Sequence, residues 1–238
     1  MAKVFFEDKF MKYQKDLLLR NTLNNILYNE FIAGRTAYEH NFMLIGIFMQ
    51  IIVFYITGDS VISLISGISG IISVVLCSQK KFSFYIFGFI QLGTYMFLAY
   101  QQRFYGELVE NIFYIVTMFI GMYIWLKNFN KKEQIVKTKK LSYKQLNIIS
   151  ILTFMGIFGL WKYLYITNDT QPFMDAVSTV PAFVAQILLM LCYREQWIFW
   201  IIIDVASIFM WAIADNWIMV VQYIFWTINC LYGLKKWT

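Results

Sequence analysis

The chain has 238 residues, of which 60% are hydrophobic and 20% aromatic, whereas only 14% are charged. A soluble domain is nearer half apolar and a quarter charged, so this composition excludes an ordinary soluble protein. Most of the chain must face lipid or other parts of the protein. The formal net charge of +6 is compatible with nucleic-acid binding, but the positions of the basic residues argue against that interpretation.

The first 35 residues differ from the rest because charged and apolar positions alternate along them. Phe5, Phe10, Leu17 and Ile26 are interspersed with basic residues. This pattern predicts that residues 1–35 form an amphipathic helix on the cytoplasmic surface of a membrane. The remaining residues, 36–238, are predicted to form a single transmembrane domain.

Eight apolar segments follow the amphipathic region. Each is near the ~20 residues that a helix needs to cross the hydrocarbon layer. The segments are continuously apolar instead of alternating with period two, so the pattern favours helices over strands. We therefore predict an all-α integral membrane protein with about eight transmembrane helices. The segments lie at about 41–57, 61–78, 82–101, 108–126, 146–166, 173–193, 197–214 and 217–234.

The basic residues predict the orientation of these spans. With the N-terminus inside, 18 of the 20 lysines and arginines fall on the cytoplasmic side, and Arg103 and Lys162 are the exceptions. This bias agrees with the positive-inside rule, so both termini are predicted to be cytoplasmic. The basic residues then act as orienting anchors along one membrane face, which removes the nucleic-acid interpretation.

The residues that usually carry catalysis or hold metals are scarce. Cys77, Cys192 and Cys230 are dispersed within apolar segments, with the spacing of neither a disulfide framework nor a metal site. The single histidine, His40, lies at the start of a span, where an interfacial or capping role is expected. The sequence has no His-Glu-x-x-His and no Gly-x-Ser-x-Gly motif. We therefore expect neither an enzyme nor a bound cofactor or metal.

Two motifs in the first part of the chain recur in the second. Phe84-x2-Phe87-x3-Gln91 matches Trp197-x2-Trp200-x3-Asp204 at an offset of 113, and Gly121-x3-Trp125 matches Gly233-x3-Trp237 at an offset of 112. The simpler alternative is a stripe of core aromatic residues that matches by chance. Agreement of two motifs at nearly one offset favours an internal repeat.

The repeat predicts how the helices are arranged. Repeat one covers about 59–127, the linker and a connecting helix cover 128–166, and repeat two covers about 173–238. Equivalent helices are four spans apart and cross the membrane in the same direction, so the repeats are parallel and a site between them is expected near the midplane. Gln91 and Asp204 would then face each other across the axis that relates the repeats.

The run 197–204 is the strongest candidate for a binding site. On a helix Trp197, Trp200 and Asp204 share one face, which Trp211 extends. A carboxylate within an apolar span is costly and usually marks the path of a substrate or ion. Beside two indoles it suits a flat cationic ring. The alternatives are an interfacial aromatic belt for the tryptophans and a structural hydrogen bond for the aspartate.

Amide side chains within the spans are further candidate substrate ligands. They can bind ribose hydroxyls or a carboxamide, or else hydrogen-bond neighbouring helices. Tyr95, one turn from Gln91, is placed to close the pocket. The amides are Gln91, Asn111, Gln186 and Gln222.

Several short motifs between Asp59 and Trp237 resemble those of one family. They are Tyr105-Gly106, Asn111, Tyr114, Gly121-x3-Trp125, Asp175, Gln186, Arg194-Glu195-Gln196-Trp197-x2-Trp200, Gln222-Tyr223 and Gly233-x3-Trp237. The chain resembles the PnuC vitamin transporters, and its two three-helix units resemble the layout of SWEET-type transporters. The resemblance implies facilitated diffusion of nicotinamide riboside across a bacterial inner membrane, followed by trapping of the substrate by a cytoplasmic kinase.

One position departs from that family, whose members usually have asparagine where this chain has Asp204. Related transporters carry thiamine or other vitamins, and thiamine also contains a cationic ring. Three alternatives therefore stay open: transport of thiamine or another vitamin, ion-coupled symport through Asp204, and an accessory membrane subunit. The expected partners are a small cationic vitamin and the lipid bilayer, and a homo-oligomer is compatible with the sequence.

Overall fold

The computed structural model describes most of the chain beyond the N-terminal region. The predicted amphipathic helix over 1–35 lies largely outside the described residues. The chain divides into two units, residues 1–41 and 42–238, and all helix contacts given below lie within the second. The described ranges are 24–25, 28–32, 34–58, 60–101, 105–167, 172–213 and 217–237.

Within the described residues of the first unit, Thr36 and Glu39 determine where the first long helix begins. Glu39 Oε2 accepts a hydrogen bond from the Thr36 amide at 2.7 Å, and Thr36 Oγ1 accepts one from the Glu39 amide at 3.3 Å. This is a reciprocal capping box, which satisfies two backbone donors that a helix leaves unpaired. The helix therefore begins at Ala37, slightly before the start predicted from hydropathy.

Eight long α-helices occupy the described residues, and each coincides with one predicted span. The all-α prediction with about eight helices is confirmed. A two-stranded antiparallel hairpin lies between the fourth and fifth helices. The elements are α1 (Ala37–Thr57), α2 (Val61–Ser78), α3 (Phe84–Gln101), α4 (Tyr105–Lys127), β1 (Phe129–Asn130), β2 (Ile135–Val136), α5 (Tyr143–Ile166), α6 (Pro172–Met190), α7 (Gln196–Ile213) and α8 (Trp217–Lys236).

The helices have the surface of a multi-pass membrane protein. Among the described residues, α1, α2, α5 and α6 are long and apolar enough to span a membrane, and α3 and α7 contain shorter apolar stretches. Large apolar side chains are exposed on several helices, including Phe48 (62% exposed), Phe119 (57%) and Phe154 (72%). Exposed apolar surface of this kind requires a lipid or protein partner.

The α2–α3 and α6–α7 turns have the same backbone conformation. Lys80 in the first turn has φ 62° and Cys192 in the second has φ 63°, although neither is glycine. The two positions differ by the same offset of 112 as the glycine–tryptophan motif. The amide two residues after α2 bonds the Cys77 carbonyl at 2.9 Å, and the equivalent amide after α6 bonds the Leu189 carbonyl at 3.0 Å. The local fold of one turn is therefore repeated in the other.

Contacts between the halves follow the same spacing. The first half, α2–α4, meets the second half, α6–α8, where α2 packs on α8 and α4 packs on α6. Gln186 Nε2 on α6 donates to Thr117 Oγ1 on α4 at 3.0 Å, and Asn229 Nδ2 on α8 donates to the Val74 carbonyl on α2 at 3.1 Å. Each residue of the first bond has its counterpart in the second at the offset of 112.

The aromatic contacts assign the register of the predicted motif match. Trp197 packs edge-on against Trp237, with ring centroids 5.6 Å apart and an interplanar angle of 88°. Tyr85 packs against Trp125 at 5.5 Å and the same angle. Trp125 also contacts Phe84, with ring centroids 4.6 Å apart at 52°, so the edge-on geometry is what favours Tyr85, and an offset of 112, over the predicted match of Phe84 at 113. The sequence pattern could not distinguish the two because both residues are aromatic.

The linker 128–142 lies across both turns. The Val136 amide donates to the Lys80 carbonyl at 3.0 Å, and the Lys139 amide donates to the Cys192 carbonyl at 2.8 Å. These turns and the linker lie at the same end of the helices, which we call the linker end. The β-hairpin was not predicted, because strands of two residues give no periodic signal.

Candidate functional site

Asp204 is one of three predicted site residues, with Trp197 and Asn111, that are almost fully buried. It is only 3% exposed, in the middle of α7, and apolar residues flank it in the sequence. In the described part of the chain, its hydrogen-bond partner is the thiol of Cys230 on α8, with Sγ 3.4 Å from Oδ2. A thiol is a weak donor, so this carboxylate has little compensation for the loss of water.

Trp197 is packed between helices at the linker end. Its ring is buried, and a Cβ built on Gly233 would lie 2.5 Å from it. The other side of the contact is Trp237, described above. The Nε1 of Trp197 has no hydrogen-bond partner among the described residues. Because Trp197 is buried, it does not belong to a lipid-facing aromatic belt. Its close packing indicates that this indole stabilises the α7–α8 interface.

Trp200 lies in a different environment. It is half-buried and packs against a cluster formed by α6 and α7 that includes Ala182, Ala185, Phe199 and Ile203. The partial exposure leaves some of the indole surface uncovered by protein. The side chain of Trp211, which was expected to extend this face, lies outside the described residues.

Two of the predicted amide ligands are engaged between helices. Gln186 donates to Thr117, as given above, and Gln222 Oε1 accepts from Gln50 Nε2 at 3.5 Å, which links α8 to α1. These contacts match the interhelical alternative stated for the amides. They occupy one polar atom on each side chain and leave the other atom for a second partner.

Gln91, Asn111 and Tyr95 lie in the first half. Gln91 on α3 is half-buried, and its Cγ lies 3.2 Å from a Cβ built on Gly70 of α2. Asn111 on α4 is 3% exposed, and Tyr95 on α3 is half-buried. The contacts of Gln91 are directed to α2 and those of Asp204 to α8, so the expected pairing of these two across the axis stays a prediction.

Three buried polar residues were not among the predicted site residues. Cys230 was dismissed as a dispersed cysteine, and its role depends on how α7 and α8 pack. The side chains of Gln79 and Gln196 are buried, and their amide atoms have no hydrogen-bond partner among the described residues. Buried amides of this kind call for water or a ligand. Gln196 directly precedes Trp197, so its place in that motif was the available signal.

Residues 60–238 match the family model described as nicotinamide mononucleotide transporter. Among curated proteins, the chain is 34% identical to the nicotinamide riboside transporter PnuC of Haemophilus influenzae, over 91% of this chain and 96% of that protein. It is 30% identical to the PnuC of Neisseria mucosa, over 88% of this chain and 84% of that protein.

A solved structure has the same fold. It is the crystal structure of the vitamin B3 transporter PnuC, which superposes with a TM-score of 0.74 at 29% sequence identity. The superposition covers 88% of this chain and 94% of that one.

Proposed function

The chain belongs to the nicotinamide mononucleotide transporter family, and from that premise we propose that it carries nicotinamide riboside across a bacterial inner membrane by facilitated diffusion. The match over nearly the whole chain to proteins named as nicotinamide riboside transporters is the observation that carries this proposal.

The surroundings of Asp204 support a cationic substrate. Nicotinamide riboside has a fixed positive charge on a flat ring, and a buried carboxylate with a thiol as its partner is poorly neutralised. Charge pairing with the substrate ring would supply the missing compensation. Trp200 offers a partly uncovered indole on the same helix for stacking on that ring.

The amides are proposed to complete the site around the ribose and the carboxamide. Gln91, Asn111, Gln186 and Gln222 carry donors and acceptors suited to hydroxyl groups. The bonds of Gln186 and Gln222 to other helices hold these side chains in place, which is compatible with a second bond to a substrate. Tyr95 is proposed to close the pocket on the α3 side. Trp197 is proposed to stabilise the packing of the N-terminal end of α7.

The site is proposed to lie between two parallel repeats with both termini in the cytoplasm. Support for the repeats comes from the reciprocal interhelical bonds, which are related by the offset of 112, and from the two turns with matching backbone conformation. Support for the orientation comes from the lysines and arginines, of which 18 of 20 fall on one side. The linker end is then the cytoplasmic end.

The proposal is tested by uptake of radiolabelled nicotinamide riboside into proteoliposomes. We expect uptake that stops when the inner and outer concentrations are equal, with no ion gradient imposed. Protein-free liposomes serve as the control, and unlabelled thiamine added in excess tests the alternative vitamin. Absence of nicotinamide riboside uptake, together with uptake of radiolabelled thiamine measured in parallel, would replace the proposed substrate.

A second candidate, an ion-coupled symporter, is favoured by the weak compensation of Asp204. A buried carboxylate of this kind can bind a proton or a sodium ion as well as a substrate cation. The same proteoliposomes distinguish the two functions. Accumulation above the outer concentration that collapses with the sodium or proton gradient would identify a symporter.

A further inference from the structure

Two observations outside the proposed site lead to new inferences, and the first concerns Cys230. Its Sγ lies 3.4 Å from Asp204 Oδ2, and both residues are buried, at 6% and 3% exposure. They lie on α7 and α8, which pack closely against each other. In the described part of the chain the thiol is the partner that fixes one oxygen of this carboxylate.

The first half shows that the fold does not need a polar pair at this point. The offset of 112 makes Leu92 and Met118 the counterparts of Asp204 and Cys230, and both are buried. The equivalent place in α3 and α4 is therefore filled by apolar side chains. The carboxylate and the thiol are specific to the second half, which points to a role other than helix packing.

We propose that Cys230 is a positioning residue that orients the Asp204 carboxylate towards the substrate ring and so sets the preference for a cationic ring over a neutral one. This inference rests on the proposed function. A thiol bonds the carboxylate weakly enough to leave its charge for the substrate, whereas an ammonium or guanidinium would neutralise it. Without the thiol, the Asp204 carboxylate is free to rotate away from the substrate ring.

The test compares binding of nicotinamide riboside with binding of its dihydro form, which is neutral and nearly equal in shape. We expect Cys230→Ala to lower the affinity for the cation by about 3- to 10-fold, the effect of one hydrogen bond, and to change the affinity for the neutral form less. Cys230→Ser restores a donor and should keep most of the preference. Met118→Ala, at the equivalent position of the first half, is the matched control and should leave the ratio unchanged.

The failures of the two proposals are distinguishable. If the wild-type protein binds neither compound, the proposed function fails. If Asp204→Asn changes the ratio of affinities and Cys230→Ala does not, the role of Cys230 alone is overturned. Equal losses for both compounds in Cys230→Ala, without rescue by serine, would reduce Cys230 to a packing residue.

The second inference concerns the linker, which is bonded to both halves. On the first half, the Val136 amide donates to the Lys80 carbonyl, and Lys81 Nζ donates to the Gln134 carbonyl at 3.4 Å. These bonds attach β2 and the residue before it to the α2–α3 turn. Val136 is 1% exposed, so this part of the linker is packed against the helices.

On the second half, two backbone hydrogen bonds attach the linker to the α6–α7 turn. The Lys139 amide donates to the Cys192 carbonyl at 2.8 Å, and the Arg194 amide donates to the Lys139 carbonyl at 2.9 Å. The Leu141 amide donates to Glu195 Oε2 at 3.0 Å. Lys80 and Cys192 are equivalent positions in the two turns, so the linker joins the same point of both halves.

Further contacts beside the linker also join the two halves at the linker end. Thr138 Oγ1 donates to the Trp237 carbonyl at 3.1 Å, and Arg194 Nε donates to the Leu234 carbonyl at 2.8 Å. Trp125 and Trp237 are fully buried and lie in contact with each other. We therefore expect a substrate held between the halves to leave at the linker end only when these contacts separate.

We propose that residues 128–141 are a latch, which holds the two halves together at the linker end and must release the α2–α3 turn before a substrate leaves there. The first-half attachment is the one that opens because, among the described residues, a single backbone hydrogen bond joins the linker to the α2–α3 turn, whereas two join it to the α6–α7 turn. The second-half attachment, with a carboxylate among its bonds, stays in place.

Two engineered cysteine pairs test the latch in proteoliposomes. Lys80→Cys with Val136→Cys locks the first-half attachment, and Lys139→Cys with Tyr193→Cys locks the second, where the residues form a parallel β-bridge. The pairs are joined by oxidation or by a short bis-maleimide. Cysteine is tolerated at position 80 because Cys192 has the same backbone conformation in the equivalent turn. Burial raises the pKa of the Cys192 thiol to about 12, so it does not compete for the reagents.

We expect the first lock to lower uptake by at least about tenfold, with recovery after reduction of the disulfide, because a closed gate blocks release. The second lock should leave uptake within about twofold of the untreated protein, so it serves as the matched control. Unchanged binding of substrate in the locked protein shows that the fold is intact. Full uptake through the first lock, or equal inhibition by both locks, would overturn the latch.

Discussion

Trp125 and Trp237 lie against each other at the linker end, with ring centroids 5.7 Å apart and an interplanar angle of 62°. Each indole also bonds the opposite half. Trp125 Nε1 donates to the Leu189 carbonyl at 3.0 Å, and Trp237 Nε1 donates to the Cys77 carbonyl at 3.2 Å. Donors and acceptors are both related by the offset of 112, so the two bonds are reciprocal.

This reciprocity predicts equal effects of two substitutions. Trp125→Phe and Trp237→Phe each remove one buried hydrogen bond, which costs roughly 0.5–1.5 kcal/mol of unfolding free energy, while each acceptor carbonyl keeps its bond from a turn amide. Thermal unfolding of the purified protein in detergent measures the loss. Trp161→Phe, on a ring that is 37% exposed on α5, is the control and should have little effect. A large loss in one variant and none in the other would contradict the reciprocal arrangement.

Gly233 is predicted to be intolerant of a side chain. An alanine Cβ would lie 2.5 Å from the Trp197 ring, so the indole or α8 must shift, at a cost of about 1–3 kcal/mol of stability. Gly159 on α5 has no atom within 4 Å of its Cβ position. Gly159→Ala is therefore the matched control, and helix propensity predicts that it is neutral or slightly stabilising. Equal unfolding temperatures for the two variants would contradict the contact.

The bond between Gln186 and Thr117 is predicted to couple α6 to α4. Gln186→Leu and Thr117→Val should each lower stability by roughly 0.6–2 kcal/mol, the range for interhelical hydrogen bonds in membranes. Since both break the same bond, the double variant should lose much less than the sum of the single losses. Unfolding measurements on the four proteins give the coupling. Additive losses would show that the bond contributes nothing.

The two indoles of the Trp-x2-Trp motif are predicted to behave differently. Trp200 is partly uncovered, and Trp200→Ala should weaken substrate binding by about 1–3 kcal/mol if stacking values for bases apply. Trp197 is buried against Gly233 and Trp237, so Trp197→Ala should mainly destabilise the fold, by about 3–5 kcal/mol. Titration calorimetry and unfolding are measured on both variants. A stable Trp197→Ala protein that has lost binding would reverse these roles.

The helices of this chain could be predicted because the length of an apolar segment largely determines a membrane span. The register of the repeat could not, since Phe84 and Tyr85 are both aromatic and only their contacts distinguish them. The partner of Asp204 was also hidden, because Cys230 is distant in sequence and is brought near by packing of α7 on α8. The attachment of the linker depends on two turns that are distant in sequence and that reach the linker only in the folded protein.

The central claim is that Asp204 pairs with the positive charge of the substrate ring, and a binding titration on purified protein tests it most directly. Nicotinamide riboside and its neutral dihydro form are titrated into the wild-type protein and into Asp204→Asn, which keeps the shape of the side chain. We predict that the wild-type protein prefers the cation and that Asp204→Asn loses most of this preference. Equal losses of affinity for both compounds in Asp204→Asn would contradict the claim.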